Sequence, residues 1–251
     1  MAHDISIDET QFNTMIQLLA SSAKDLFLSP ACRQYFAKDT FEKRGSPVRE
    51  FTGPSAGAMP GTIAHNRIQI DDGTFTSAPR TLRLINPLSS IHDVFTGAVN
   101  MKVLSIGPRT EMELLHLVGI GFLPGNITGL DLISTSPWID LGDMHAMPYP
   151  DTAFDVVISG WVLAYSKNPQ KAVDEMLRVV KPGGIVAIGV TYNPDAAEIE
   201  YKNEGDRIQG RIFRRVAELT AMIGPRLGPI YFQHEPEADE KLPVMLIARI
   251  R

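Results

Sequence analysis

Between residues 8 and 27 the apolar positions are Phe12, Met15, Ile16, Leu19, Ala23 and Leu26, spaced three or four apart as on one face of a helix. Asp8 stands where such a helix needs a side-chain cap. Ser29-Pro30 opens a second helix, a cap followed by a proline in the first turn, and Gly45 closes it. Two helices with apolar faces at Phe12, Ile16, Leu19, Tyr35 and Phe36 need a surface to cover, and the carboxyl edge of a sheet is the expected one. From Ser46 to Asn100 the period fades among Pro47, Gly53, Pro54, Gly57, Pro60 and Gly61. Asp72-Gly73 reads as a tight turn between the β-like runs IQI and FTS. Residues 1–98 are therefore expected to form a cap of helices and irregular chain that does not fold alone.

At Met101 the pattern sharpens. KVLSIG reads as a buried strand, RTEMELLHLVG as a helix with Met112, Leu115 and Val118 on one face, ITGLDL as a second strand and FDVVISG as a third. PQKAVDEMLRVV is an amphipathic helix with Ala172, Val173, Met176, Leu177 and Val180 inward. Lys181-Pro182-Gly183-Gly184 breaks it before the strand IVAIGV. Asp206 to Ile223 is expected as a helix, and GPIYFQH and LPVMLIARI as two strands joined by the acidic turn EPEADEK. Strands alternating with helices imply βαβ units and a parallel sheet, and the last two strands imply an antiparallel closing hairpin.

Composition narrows the function. With 251 residues, 44% hydrophobic and 21% charged, the chain can bury one sizeable core. A net charge of -5 argues against a phosphate track, and Arg211, Arg214 and Arg215 are spaced as a solvated helix face, so no nucleic-acid partner is expected. Cys32 is the sole cysteine, so no internal disulfide can form, which fits a cytoplasmic protein. The start MAHDISIDET is acidic and polar, unlike a secretory signal, and no apolar run reaches the ~18 residues of a membrane span. The six histidines are scattered without ligand spacing, so no metal site is expected.

Two positions carry candidate chemistry. Gly107 lies where the first strand must turn sharply into a helix, at the carboxyl edge where open α/β sheets bind ligands; an ordinary strand-helix turn fits it equally. Asp131 ends the second strand, where a carboxylate can receive two ribose hydroxyls or can cap the next helix. The first alternative predicts that its removal costs binding and spares stability.

The stretch GDMHAMPYPDTAFDVVISGWVLAYSKNPQKAVDEMLRVVKPGGIVAIG resembles the class I S-adenosylmethionine-dependent methyltransferases of the methyltransferase type 11 kind. The matching pieces are Asp143-Met144, Met147 to Asp151, Phe154-Asp155 and Leu177 to Gly184, and the likeness runs from about Lys102 to Val190. The resemblance implies a Rossmann-like three-layer α/β sandwich over residues 99–251, with a mostly parallel seven-stranded sheet, an antiparallel C-terminal hairpin and the N-terminal cap. It implies S-adenosyl-L-methionine as cofactor. Gly107, Pro108 and Arg109 would hold its methionine portion, Asp131 the ribose, Leu132 and Met144 the adenine ring and Asp143 the adenine amino group. Ser159, Gly160 and Trp161 would face the sulfonium. Tyr165 and His145 are the candidates for catalysis near the methyl group. Core packing fits Met144, Leu132, Trp161 and Tyr165 as well, and a turn fits Asp143. The first motif departs from the family: Ser105 takes the place of the usual acid, and Pro108 and Glu111 stand where small residues are common, Glu111 bringing a negative charge toward the carboxylate end.

The expected activity is methyl transfer to a small-molecule acceptor. An inactive relative serving as a binding module is the alternative. A nicotinamide-dependent oxidoreductase would need a G-x-G-x-x-G turn, which does not follow Ile106.

Overall fold

The computed structural model describes residues 8–44, 48–54, 61–71, 80–192, 199–203, 206–210, 212–237 and 240–251. The expected Asp72-Gly73 turn, the FTS run and the Gly45 stop lie outside them.

The front section opens with helix α1 (Glu9–Ser21) and continues through a short 3-10 turn into α2 (Pro30–Arg44). Asp8 caps α1 reciprocally with Gln11: its carboxylate accepts the Gln11 N–H at 2.8 Å, and the Gln11 side chain accepts the Asp8 N–H at 3.0 Å. The expected burial of the α1 face does not occur. No residue of α1 is buried, and Phe12, Ile16 and Leu18 stay more than half exposed, as does Tyr35 of α2. α2 is anchored in two ways: Arg33, 1% exposed, donates to the carbonyls of Phe27 and Leu28, and Ala37 packs with Met112 and Leu115. After the two-residue strand β1 (Arg49–Glu50) come three short helices, α3 (Thr62–Asp71), α4 (Leu82–Ser89) and α5 (His92–Gly97). The IQI run is thus the end of a helix, not a strand. The sequence TIAHNRIQID scatters its apolar residues around the axis, so no stripe announces α3.

The remaining elements are β2 (Val103–Ile106), α6 (Met112–Gly119), β3 (Ile127–Asp131), β4 (Ile133–Ser134), β5 (Ile139–Leu141), β6 (Phe154–Gly160), α7 (Pro169–Val179), β7 (Val180–Thr191), β8 (Ile199–Asn203), β9 (Asp206–Gly210), α8 (Val216–Ile223), β10 (Leu227–His234) and β11 (Pro243–Ile250). Seven strands form one sheet in the order β10-β11-β7-β6-β2-β3-β5. β7, β6, β2, β3 and β5 run parallel, and β11 and β10 are antiparallel, as the resemblance implies. Lys181 to Gly184 form an irregularity within β7, where the pairing jumps from Phe154↔Val180 to Val156↔Ile185 and Gly183 adopts φ +78°. Asp206 to Gly210 is not helical; it pairs antiparallel with β8, and the helix begins only at Val216. DRIQ lies between Gly205 and Gly210, too short a span between two helix-weakening residues.

Along β2, β3, β6, β7 and β11 both faces of the sheet are buried, which explains why these strands read as continuous apolar runs; the edge strand β10 stays partly exposed. On one face Leu104, Val157, Val186 and Leu246 pack against Ala172, Met176 and Leu219 of α7 and α8. On the other Val103, Val156, Ile158 and Ala187 pack against Leu84 and Leu88 of α4, Val94 of α5, and Leu114 and Leu117 of α6. α4 and α5 therefore belong to the helical layer although they precede residue 99. Removing α1, none of whose residues is buried, is expected to leave the melting temperature within a few degrees of the intact protein. Leu117→Ala, fully buried in this layer, should cost about 2–5 kcal/mol in denaturant unfolding.

Candidate functional site

Strand order makes the site. β2 has β3 on one side and β6 on the other, so the connections leaving its carboxyl end and that of β6 diverge, and a crevice opens there. In register, Ile106 pairs with Leu130 and Ser159, Asp131 with Leu141, and Gly160 with Gly189. Four strand ends thus reach one edge. They border a cleft of about 470 Å³, within the range of small-molecule sites.

The β2–α6 turn forms its floor. Gly107 has φ +75°, and a Cβ there would lie 2.0 Å from Val162, so only glycine fits. Arg109 also adopts a left-handed conformation, φ +55°, which costs a non-glycine residue on the order of 1–2 kcal/mol. Asp131 holds that strained residue in place. Its carboxylate accepts the Arg109 N–H at 3.0 Å and the Ile133 N–H at 3.3 Å. Burial pushes the Asp131 carboxyl above the ordinary carboxylate range, against the opposing pull of the Arg109 charge and the backbone N–H donors. Asp131 thus joins two loops, and removing it leaves the N–H groups of Arg109 and Ile133 without their acceptor.

Of the residues singled out by sequence, Gly107, Pro108, Arg109, Asp131, Leu132, Asp143, Met144, Gly160, Trp161 and Tyr165 all border the cleft. Ser159 and His145 do not. Ser159 is fully buried within β6. His145 is fully buried too, with Nδ1 2.5 Å from Asp143 Oδ1 and Nε2 2.5 Å from Ser166 Oγ, and its N–H donates to the same Asp143 oxygen at 2.9 Å. It orients Asp143 from behind and does not reach the cleft. Glu111 turns away as well, accepting from Ser136 Oγ, so its charge is not on the cleft wall. Trp161, φ +62°, donates its N–H to Gly189 O at 2.7 Å, and its indole lies where a Cβ on Gly189 would sit, 3.0 Å away.

Sequence reasoning missed the far wall. Thr62, His65 and Asn66 of α3, with Arg80 and Thr81, close the cleft from the cap side. The His65 and Tyr165 rings stack with centroids 6.1 Å apart at 29°. Thr81 approaches the end of β6 so closely that a Cβ on Gly160 would lie 2.5 Å from its hydroxyl. Glu113 was missed also. It lines the cleft while 4% exposed, accepting from Ser105 Oγ on one oxygen and from Thr81 Oγ1 at 2.7 Å on the other. Burial raises its pKa, more than those two bonds lower it. The available signal was Ser105 in the family's acidic place with an acid on the next helix.

Residues 106–188 match the methyltransferase domain family. A ubiquinone/menaquinone biosynthesis C-methyltransferase of Geobacter sulfurreducens is 31% identical over 56% of this chain and 52% of its own length. A tRNA N(3)-cytidine methyltransferase of Danio rerio is 25% identical over 46% of this chain and 39% of its own. The chain thus spans about half or less of these curated relatives. Among solved structures, the 1,6-didemethyltoxoflavin-N1-methyltransferase of Burkholderia thailandensis, with its substrate and S-adenosylhomocysteine bound, superposes with a TM-score of 0.53 at 17% identity, covering 81% of this chain and 94% of that one. Residues 106–188 thus carry a methyltransferase domain, and the sheet has the fold of that S-adenosylhomocysteine-bound enzyme.

Two outcomes follow for the ligand-free protein. Asp131→Ala should lower stability by about 1–3 kcal/mol, because the N–H groups of Arg109 and Ile133 lose their acceptor; an unchanged unfolding midpoint would remove the loop-joining role. The raised carboxyls give a second. The folded chain keeps protons on Glu113 and Asp131 that the unfolded chain releases near pH ~4, so their contribution is complete below that value and is lost as pH rises through the folded values. Calorimetric melting from pH 5 to 9 should show a steeper decline for wild type than for Glu113→Gln, and parallel curves would contradict it.

Proposed function

We propose that the chain transfers the methyl group of S-adenosylmethionine to a planar small-molecule acceptor admitted beside Thr62, His65, Asn66, Arg80 and Thr81 of the cap, with residues 99–251 as the catalytic domain and α4 and α5 completing its helical layer. What carries this reading is the single cleft shared by Gly107 to Arg109, Asp131-Leu132, Asp143-Met144, Gly160-Trp161 and the cap residues. The donor set suits the cofactor in kind. A cation at Arg109 answers a carboxylate, Asp131 a vicinal diol, Asp143 an exocyclic amine, and the side chains of Leu132 and Met144 a purine face.

When bound, the cofactor supplies a methyl group already activated by a sulfonium. The chain's own part is alignment and exclusion of water. Transfer to the acceptor would release S-adenosylhomocysteine and one proton from the acceptor, and taking up that proton is the part left to the chain's own groups. Tyr165 and the stacked His65 are the groups we assign to hold and receive that proton. His145 has no such role in this reading and serves as a positioning residue for Asp143.

The acceptor class rests on two supports. The quinone-pathway relative and the toxoflavin enzyme are, by name, methyltransferases of ring compounds. The tRNA relative is less similar, and a net charge of -5 does not favour a polyanion. No described helix is long and apolar enough to cross a membrane, and the single cysteine fits a reducing compartment, so we place the reaction in the cytoplasm.

In calorimetric titration S-adenosylhomocysteine should bind at micromolar affinity or tighter and NAD far more weakly; NAD winning would sink the reading. Asp131→Ala should weaken the first titration about tenfold or more. With a demethylated quinol and a tRNA as parallel acceptors, labelled methyl should enter the quinol alone. Tyr165→Phe and His65→Ala should slow that turnover about 100-fold, in line with general-base effects, while S-adenosylhomocysteine affinity stays put.

A further inference from the structure

The fold leaves one buried acid on the cleft wall without a part in the reading above. Glu113 lies in the first turn of α6, where an acid ordinarily stabilises the helix dipole from the solvent side. This one is 4% exposed and faces the cleft. Burying a carboxyl there is costly, and two hydroxyls from different elements, Ser105 of β2 and Thr81 ahead of α4, are committed to holding it. Hydroxyls suit a group that changes charge, because each rotates between donating to a carboxylate and accepting from a carboxylic acid. The charged neighbours whose fields reach Glu113 are Asp131 and Arg109.

The other lining acids named above already have parts in that reading, Asp131 toward the ribose and Asp143 toward the adenine, and Glu113 has none. An amino-acid zwitterion presents a carboxylate and an ammonium on one carbon, so its site needs a cation and an acid side by side. Arg109 and Glu113 provide that pair at the β2–α6 turn.

Resting on the methyltransferase reading, we propose that Glu113 binds the ammonium group of the cofactor's amino-acid end, and that its bond to Thr81 makes the entrance of α4 part of the cofactor site. Ser105, in the place where the family usually has an acid, then acts as the hydroxyl that holds the acid delivered from the helix. The contact of Thr81 with Gly160 completes the link, because the same residue touches the acid at one end of the cofactor and the strand end beside Trp161 at the other.

The test compares two ligands that differ in this one part. S-adenosylhomocysteine carries the ammonium and carboxylate; 5′-methylthioadenosine keeps the nucleoside and sulfur without them. By calorimetry, Glu113→Gln should weaken the first by about tenfold or more and the second by less than about twofold. Ligand-free Glu113→Gln should melt no lower than wild type at pH 8, which separates a binding role from a structural one. Equal losses for both ligands, or no loss for S-adenosylhomocysteine, would overturn the assignment. If the glutamine variant does not fold, Thr81→Val answers the same question, with an expected loss of about threefold for S-adenosylhomocysteine and none for 5′-methylthioadenosine; equal or absent losses again overturn it. Wild type binding neither ligand would overturn the methyltransferase reading itself. Wild type binding both, with variants indistinguishable from it, would overturn this assignment alone.

Discussion

The carboxyl edge of the sheet depends on one carboxylate that has almost no water. Asp131 accepts the N–H of Arg109 across the gap between β3 and the turn that follows β2, and the N–H of Ile133 on its own chain. Without those bonds nothing would favour a left-handed arginine at the place where glycine is easiest. With them, the turn presents a guanidinium to the cleft and bends tightly over Val162 at Gly107. The proton affinity of the acid, the backbone strain and the shape of the floor are consequences of one placement.

How much of this could be read in the sequence follows from how each part is stabilised. The parallel strands and α6 and α7 were legible because burial on a sheet or a stripe imposes a period. The strand at Asp206 to Gly210 was illegible because four residues between Gly205 and Gly210 carry no alternation that separates them from the helical run after them. α3 was illegible, since a ten-residue helix without a stripe leaves no pattern. The candidate site was legible where backbone geometry fixes it, at Gly107 and Asp131, and where the family resemblance marked it, at Asp143-Met144. His145 was drawn toward catalysis by its residue type, yet it lies behind Asp143, two positions away. Glu113, His65 and Thr81 come to the cleft from separate parts of the chain, and no local spacing records a meeting of that kind.

The cap is held to the domain through small residues on the sheet as much as through its own side chains. Gly160 clears the space that Thr81 fills, and Gly189 clears the space under Trp161. A side chain at Gly160 would push Thr81 and the far wall outward, and one at Gly189 would crowd the Trp161 indole, so the shape of the cleft is set in part by atoms that are not there. α1, by contrast, contributes no buried residue to any of this.

The order of the sheet has a consequence for synthesis. β11 lies between β10 and β7, and seven of its eight residues are buried. Until those residues have left the ribosome, the Ile185 to Thr191 edge of β7 has no neighbour on that side, although the whole nucleotide-cleft half of the sheet is already made. A nascent or prematurely terminated chain therefore exposes a long apolar edge of the kind that recruits other strands. Of the strands in this sheet the last to be made is an interior one, and quality control of the growing chain has to bridge the interval before it arrives.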